Sequence, residues 1–181
     1  MAELLVVLDM QNGFLREGNL ASDRHLAVLP EVQREVDAAL SDGRRVLFTA
    51  DTHEVADAEF EVFPEHCVRG TSEADLVDEF VPLLDRDDTL LVRKRRYSAL
   101  FETEFLGHLH RHGVDSLRIC GVCTDICVVY TTADLRNLDY QVTVAARATA
   151  TFDAPGHPGD QVQEYSLNHL QHVLGARIDH A

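Results

Sequence analysis

Residues 4–9 read Leu-Leu-Val-Val-Leu-Asp, five apolar side chains in an unbroken run closed by an acid. A strand with one face in water would alternate, so a continuous run implies burial on both faces, as in a parallel sheet covered by helices. Four further short runs share this character: Arg45–Ala50, Thr89–Lys94, Ser116–Val122 and Gln141–Ala146. Between the runs, amphipathic spacing predicts helices over Pro30–Ser41, Glu73–Leu84, Glu102–His112, Asp125–Asn137 and Gly159–Val173. Gly43, Gly113 and Gly175 stand just beyond three of them as stop signals. Strands alternating with helices predict an open three-layer α/β/α sandwich, Rossmann-like, around a mostly parallel sheet. In such sheets functional groups gather beyond the carboxyl ends of the strands. That rule singles out Asp9, Asp51 with His53, Lys94, and the stretch Cys123–Cys127. Arg147–Pro158 is the longest expected loop and a candidate cover for a site.

A length of 181 residues, at 45% hydrophobic and 26% charged, fits one globular domain spanning 1–181. Sixteen basic residues against 31 acidic ones leave a net charge of −15, whose field repels phosphate backbones and anionic lipid. Neither a nucleic acid nor a membrane is the expected partner. The first apolar run, Leu4–Leu8, is too short for a signal peptide or a spanning helix, which makes the cytoplasm the expected location. Cys120, Cys123 and Cys127 crowd into eight residues, a poor disulfide framework in a reducing compartment.

Cys127 carries the sharpest chemical signal. Gly121-Val122-Cys123-Thr124-Asp125-Ile126-Cys127 runs from a strand end into a helical pattern. With Thr124 as N-cap, Cys127 falls in the first helical turn, where unpaired amides and the helix dipole favour a thiolate and can stabilise an oxyanion. A buried, inert thiol is the plain alternative, since free cysteine is among the most buried residue types. The Cys120, Cys123 and Cys127 spacings also permit a metal–thiolate centre or a redox pair, although no fourth ligand lies near in sequence.

Asp9 can cap the turn that follows it or aim a carboxylate into the crevice. Lys94 belongs to the basic cluster Arg93-Lys94-Arg95-Arg96. Such a cluster is usually a solvated end, but a lysine facing Asp9 and Cys127 would shift the proton affinity of both. Asp51 and His53 are i and i+2 in extended chain and share a face, and His66 is the natural third member of a metal-binding set. Oxygen and imidazole donors of this kind suit Zn²⁺, Fe²⁺ or Mn²⁺. The remaining histidines, among them His108, His110, His112 and His180, read mostly as exposed helix or tail residues.

Taken together, LLVVLDMQNGFL, FTADTHE, FPEHCVRGT, KRRYSAL and GVCTDICVVYT resemble the isochorismatase-like cysteine hydrolases, and within them the nicotinamidases. The resemblance spans nearly the whole chain, with all five segments in the family's order. It implies a catalytic triad at Asp9, Lys94 and Cys127, and an oxyanion hole from the amides of Cys123 and Cys127 beside a cis Val122–Cys123 peptide. It also implies one divalent metal, Zn²⁺ before Fe²⁺ or Mn²⁺, on Asp51, His53 and His66. Glu59, four residues before Phe63-Pro64, is favoured over Glu61 as a further ligand. Phe14 and Tyr97 match the positions that sandwich a pyridine ring. The implied reaction converts nicotinamide, a small-molecule amide, to nicotinate and ammonia through a thioester. A metal-free hydrolase acting on isochorismate, a carbamoyl compound or a ureide is the alternative. Family members are often dimers or tetramers, so a homo-oligomer is in keeping with the resemblance. The chain departs from the usual opening by carrying Gly13 in place of an acid, and it has no tryptophan, which leaves the stacking role to Tyr97.

Overall fold

Six strands form one parallel sheet in the order β3-β2-β1-β4-β5-β6. They are β1 (Ala2–Leu8), β2 (Arg45–Asp51), β3 (Thr89–Lys94), β4 (Val114–Val122), β5 (Gln141–Ala150) and β6 (Arg177–Asp179). The helices are α1 (Asn12–Leu15), α2 (Asp23–Ala27), α3 (Leu29–Ser41), α4 (Phe105–Arg111), α5 (Val129–Asn137) and α6 (Gly159–His172). This computed structural model describes residues 2–181.

The unbroken apolar run of β1 divides between two cores by the alternation of the pleat. Leu5 and Val7 join Phe48, Phe14 of α1, and Val32 and Val36 of α3. Leu4, Val6 and Leu8 join Phe105 and Leu109 of α4, Leu135 of α5 and Leu170 of α6. Each such side chain contributes roughly 2 kcal/mol by leaving water. The strand order reverses between β1 and β4, so the segments leaving these two neighbours open a crevice at the sheet's carboxyl edge. Asp9 and the Cys123–Cys127 turn are those segments.

Several expected elements differ from what forms. Glu73–Leu84 is no α-helix; only short 3₁₀ turns occur there, at Ser72–Ala74 and Val81–Asp85. Its backbone bonds elsewhere: the Asp75 carbonyl accepts from Asn12, and the Val77 amide donates to the Met10 carbonyl. Pro82 has no amide hydrogen with which to continue a helix. The helix expected from Glu102 begins at Phe105 and ends at Arg111. The one expected over Asp125–Asn137 begins as a π-turn, Thr124–Val128, capped by Cys123 rather than Thr124. There the Cys123 carbonyl accepts from the amides of Ile126 and Val128, at 3.2 and 3.1 Å, while the Thr124 hydroxyl has no partner. β5 continues to Ala150, which shortens the loop expected from Arg147. β6 is too short to show an apolar pattern; Arg118 of β4 holds it through Asp179 at 2.9 Å. Among the described residues no helix is long and apolar enough to cross a membrane.

Gly121 sets how closely β4 approaches β1 just before the turn. Its φ is +108°, and a Cβ there would lie 2.0 Å from the Leu8 carbonyl oxygen. No rotamer relieves a clash with backbone, and the φ is itself unfavourable for an L side chain. Gly121→Ala is therefore expected to cost more than about 3 kcal/mol in urea unfolding. A loss below about 1 kcal/mol would contradict this view of the crossing.

Candidate active site

Asp9 follows β1 with a φ of +52°, a left-handed turn that aspartate tolerates better than most residues. The Thr49 hydroxyl of β2 fixes it, donating to Asp9 Oδ1 at 2.6 Å while accepting from the Asp9 amide at 3.2 Å. Lys94 closes β3, in register with Asp51 of β2. Its long side chain crosses over Asp51 to reach beyond β1, placing Nζ 3.3 Å from Asp51 Oδ1, 2.9 Å from Asp9 Oδ2 and 3.5 Å from Cys127 Sγ. Three strand ends and the turn after β4 thus deliver an ammonium, two carboxylates and a thiol to one point, all at most 6% exposed.

Desolvation dominates the proton affinities of this cluster. Burial raises the pKa of Asp9 despite the nearby ammonium of Lys94. It also pushes the Cys127 thiol well above its ordinary value, with Lys94 opposing and Asp9 adding to the rise. The rise at Cys127 favours the protonated thiol over the thiolate expected from the helix dipole, beside a carboxylate made more basic. For Lys94 burial works against the charge, but Asp51 and Asp9 outweigh it and raise the pKa well above normal. Burial likewise opposes the charge on Asp51, yet Lys94 and the imidazoles of His53 and His66 hold its carboxyl below the usual range.

The second oxygen of Asp51 serves another cluster. Asp51 Oδ2 lies 3.1 Å from His53 Nε2 and 3.5 Å from His66 Nε2, and Glu59 Oε1 lies 3.9 Å from each of these nitrogens. One donor atom from each of the four residues falls within 4.8 Å of the others. His66 Nδ1 donates to the Pro64 carbonyl at 2.8 Å, and His53 Nδ1 faces Asp57 at 3.4 Å, so both Nε2 atoms are turned inward. Two imidazoles oriented this way, with two carboxylates, fit a divalent cation. Glu61 is exposed and takes no part. The thiols do not assemble a metal centre: Cys120 faces the Val6 carbonyl, Cys123 faces His25, and Cys127 faces Lys94.

A cavity of about 340 Å³ opens onto both clusters. Phe14, Phe63, Tyr97, Ile126 and Phe152 line it, along with Asp51, Glu59, His66, Cys123 and Cys127. No arginine or lysine is among its lining residues. The peptide bond between Val122 and Cys123 is cis. Gly13, the departure in the opening segment, has a packing reason: a Cβ there would lie 2.8 Å from Cys67 Sγ and 3.0 Å from Glu73.

A thiol on the turn at a parallel sheet's switch point, with a buried acid and ammonium beside it, is an arrangement that can serve cysteine-dependent hydrolysis. The isochorismatase domain family matches residues 3–181, and the chain belongs to that family. It is 34% identical over 157 residues to a probable inactive nicotinamidase of Arabidopsis thaliana, covering 81% of this chain and 79% of that protein. Among solved structures, a pyrazinamidase/nicotinamidase from Streptococcus mutans UA159 superposes with a TM-score of 0.90 at 31% identity, covering 98% of this chain and all of that one. The pyrazinamidase of Pyrococcus horikoshii, solved in complex with zinc, superposes with a TM-score of 0.85 at 25% identity over 99% of both chains.

Three polar residues at the site escaped the sequence reading. The Gln11 side chain brackets the Asp51 backbone, donating to its carbonyl at 2.9 Å and accepting from its amide at 2.6 Å. Thr49 holds Asp9. His25, on α2, is only 1% exposed and lines the cavity. Its Nδ1 donates to the Phe14 carbonyl at 3.0 Å, which leaves Nε2 to accept from the Cys123 thiol at 3.4 Å. His108, expected at the surface, is also buried, at 8% exposure.

Burial lowers the pKa of His25 from 6.5 to about 4. Between those values the unfolded chain binds a proton that the folded one refuses, so stability falls as pH drops through this window, by up to about 3 kcal/mol. Urea midpoints followed from pH 7 to pH 4 are expected to fall more steeply in the natural protein than in His25→Gln. Parallel slopes would remove His25 as the cause.

Proposed function

We propose that the chain hydrolyses nicotinamide to nicotinate and ammonia through a thioester on Cys127. The family and its named relatives make it a hydrolase of amide C–N bonds; the particular amide and the residue roles are our reading. The observation that carries it is the convergence of Lys94 Nζ on Asp9 at 2.9 Å and on Cys127 at 3.5 Å, at the wall of an aromatic-lined cavity of about 340 Å³. Isochorismate and carboxylate-bearing ureides would each need a partner for their carboxylate, and the cavity lining is largely apolar and aromatic with no arginine or lysine to supply one, its Asp51 and Glu59 being taken up by the metal-binding set. A neutral aromatic amide suits that lining better.

In this reading Asp9 takes the thiol proton as sulfur attacks the carboxamide carbon, and Lys94 stabilises the charges on both sides of the transfer. The amides of Cys123 and Cys127 donate to the tetrahedral oxyanion; one such donor is typically worth about 3 kcal/mol in barrier height. Asp9 returns the proton to nitrogen as the C–N bond breaks and ammonia leaves. It then accepts a proton from the water that cleaves the thioester and passes it to the departing sulfur, while the acid formed gives its own proton to solvent and leaves as nicotinate. Phe14 and Tyr97 hold the ring, which keeps the carboxamide within reach of sulfur. Asp51, His53, Glu59 and His66 would hold the divalent ion, zinc by preference, which supplies a Lewis-acidic anchor for a ring nitrogen. One domain spanning the chain, working in the cytoplasm, completes the proposal.

Ammonia release from nicotinamide, set beside pyrazinamide and simple aliphatic amides, tests it. The two aromatic amides are expected to be turned over and the aliphatic ones poorly. Cys127→Ala should lower kcat by at least about a thousandfold while retaining bound metal. His53→Ala should lose the metal and act mainly on KM. Undiminished turnover by Cys127→Ala would end the scheme, and preferred cleavage of a carbamoyl carboxylate would replace the substrate.

A further inference from the structure

Asp125 lies on the nucleophile turn between Cys123 and Cys127, yet both of its carboxylate oxygens serve the segment after β5. Thr151 Oγ1 donates to Oδ1 at 2.5 Å, and His157 Nε2 donates to Oδ2 at 2.9 Å. The other ring nitrogen of His157, Nδ1, lies 2.9 Å from the Phe152 carbonyl. A carboxylate and a carbonyl can only accept, so each nitrogen must carry a proton and the ring is an imidazolium. Burial alone would lower its pKa, but Asp125 and the Phe152 carbonyl reverse that and raise it. The charged ring lies flat on Phe152, with centroids 4.1 Å apart and planes 4° from parallel. Reciprocal backbone bonds between Ala154 and His157, at 3.0 and 2.8 Å, close the loop. Phe152 itself lines the cavity.

We propose that Asp125, Thr151 and His157 are positioning residues that fix Phe152 as a wall of the cavity, and so set how tightly a planar aromatic amide is held beside Cys127. The inference rests on the aromatic-amide reading above. None of the three touches the reacting atoms. A side chain held in its bound rotamer loses less freedom when a ligand arrives, so the clamp acts on binding more than on chemistry. Cys127 keeps its own partner in Lys94, which the clamp does not contact.

The test is a double-mutant cycle in nicotinamide kinetics. His157→Ala and Phe152→Ala are each expected to raise KM about tenfold with kcat changed less than about threefold, and the double variant to be no worse than Phe152→Ala alone. His157→Gln, which can replace one of the two donated bonds, should fall between His157→Ala and the natural protein. It also takes the place of His157→Ala in the cycle if circular dichroism shows that variant unfolded. Additive effects, an unchanged KM, or a loss confined to kcat would overturn the proposal. If the natural protein releases no ammonia from nicotinamide, the activity reading fails, and the clamp is read separately. The rate of Cys127 alkylation by N-phenyl iodoacetamide relative to iodoacetamide, followed by peptide mass spectrometry, should then fall in His157→Ala. An unchanged ratio would overturn the clamp.

Discussion

A single ammonium, Lys94 Nζ, organises the carboxyl edge of this sheet. An isolated charge in a protein interior costs far more than the few kcal/mol by which domains are stable, so its partners must be in place for the fold to hold. Those partners come from the ends of β1 and β2 and from the turn after β4: Asp9, Asp51 and Cys127. The strand order that brings β1 beside both β2 and β4 is therefore also the order that neutralises the lysine. Asp51 extends the arrangement, with one oxygen on Lys94 and the other facing His53 and His66. The Asp51, His53, Glu59 and His66 cluster and Cys127 are thus linked through Asp51 and Lys94, so a change in charge at either would be felt by the other.

The same burial that makes the charges interdependent favours the protonated form of the Cys127 thiol. Cys127 and Asp9 both have raised proton affinities, for the same reason, desolvation. A thiol that stays protonated is slow to oxidise and slow to react with stray electrophiles. The proton transfer to Asp9 that we propose would separate no charge over a long distance and would leave the thiolate beside Lys94. In the proposed reaction, chemistry would then wait until a carbonyl carbon is in reach, beside the Phe14, Tyr97 and Phe152 side chains that line the cavity.

Much of this was legible in the sequence because it depends on short-range patterns. The unbroken Leu4–Leu8 run indicates a strand buried on both faces, and the residues that close such runs, Asp9, Asp51 and Lys94, stand at the functional edge of a parallel sheet. Tertiary bonding decides the rest. Glu73–Leu84 has helical spacing, but its backbone bonds to the segment after β1. Thr124 has the chemistry of a cap, yet the π-turn moves that role to Cys123. Glu59 and Glu61 differ only in which way a 3₁₀ turn points them, which no local pattern encodes. His25 and Gln11 carry no motif, and their roles come from partners far along the chain, at Cys123 and Asp51.

The central claim, that burial holds the proton on Cys127 while Lys94 waits to receive the thiolate, has one direct measurement. It is the rate of Cys127 alkylation by iodoacetamide as a function of pH in the metal-free protein, resolved by peptide mass spectrometry. The account predicts a rate still climbing at pH 9, the ordinary value for a thiol. A plateau reached below neutral pH would mean a standing thiolate–ammonium pair and would contradict it.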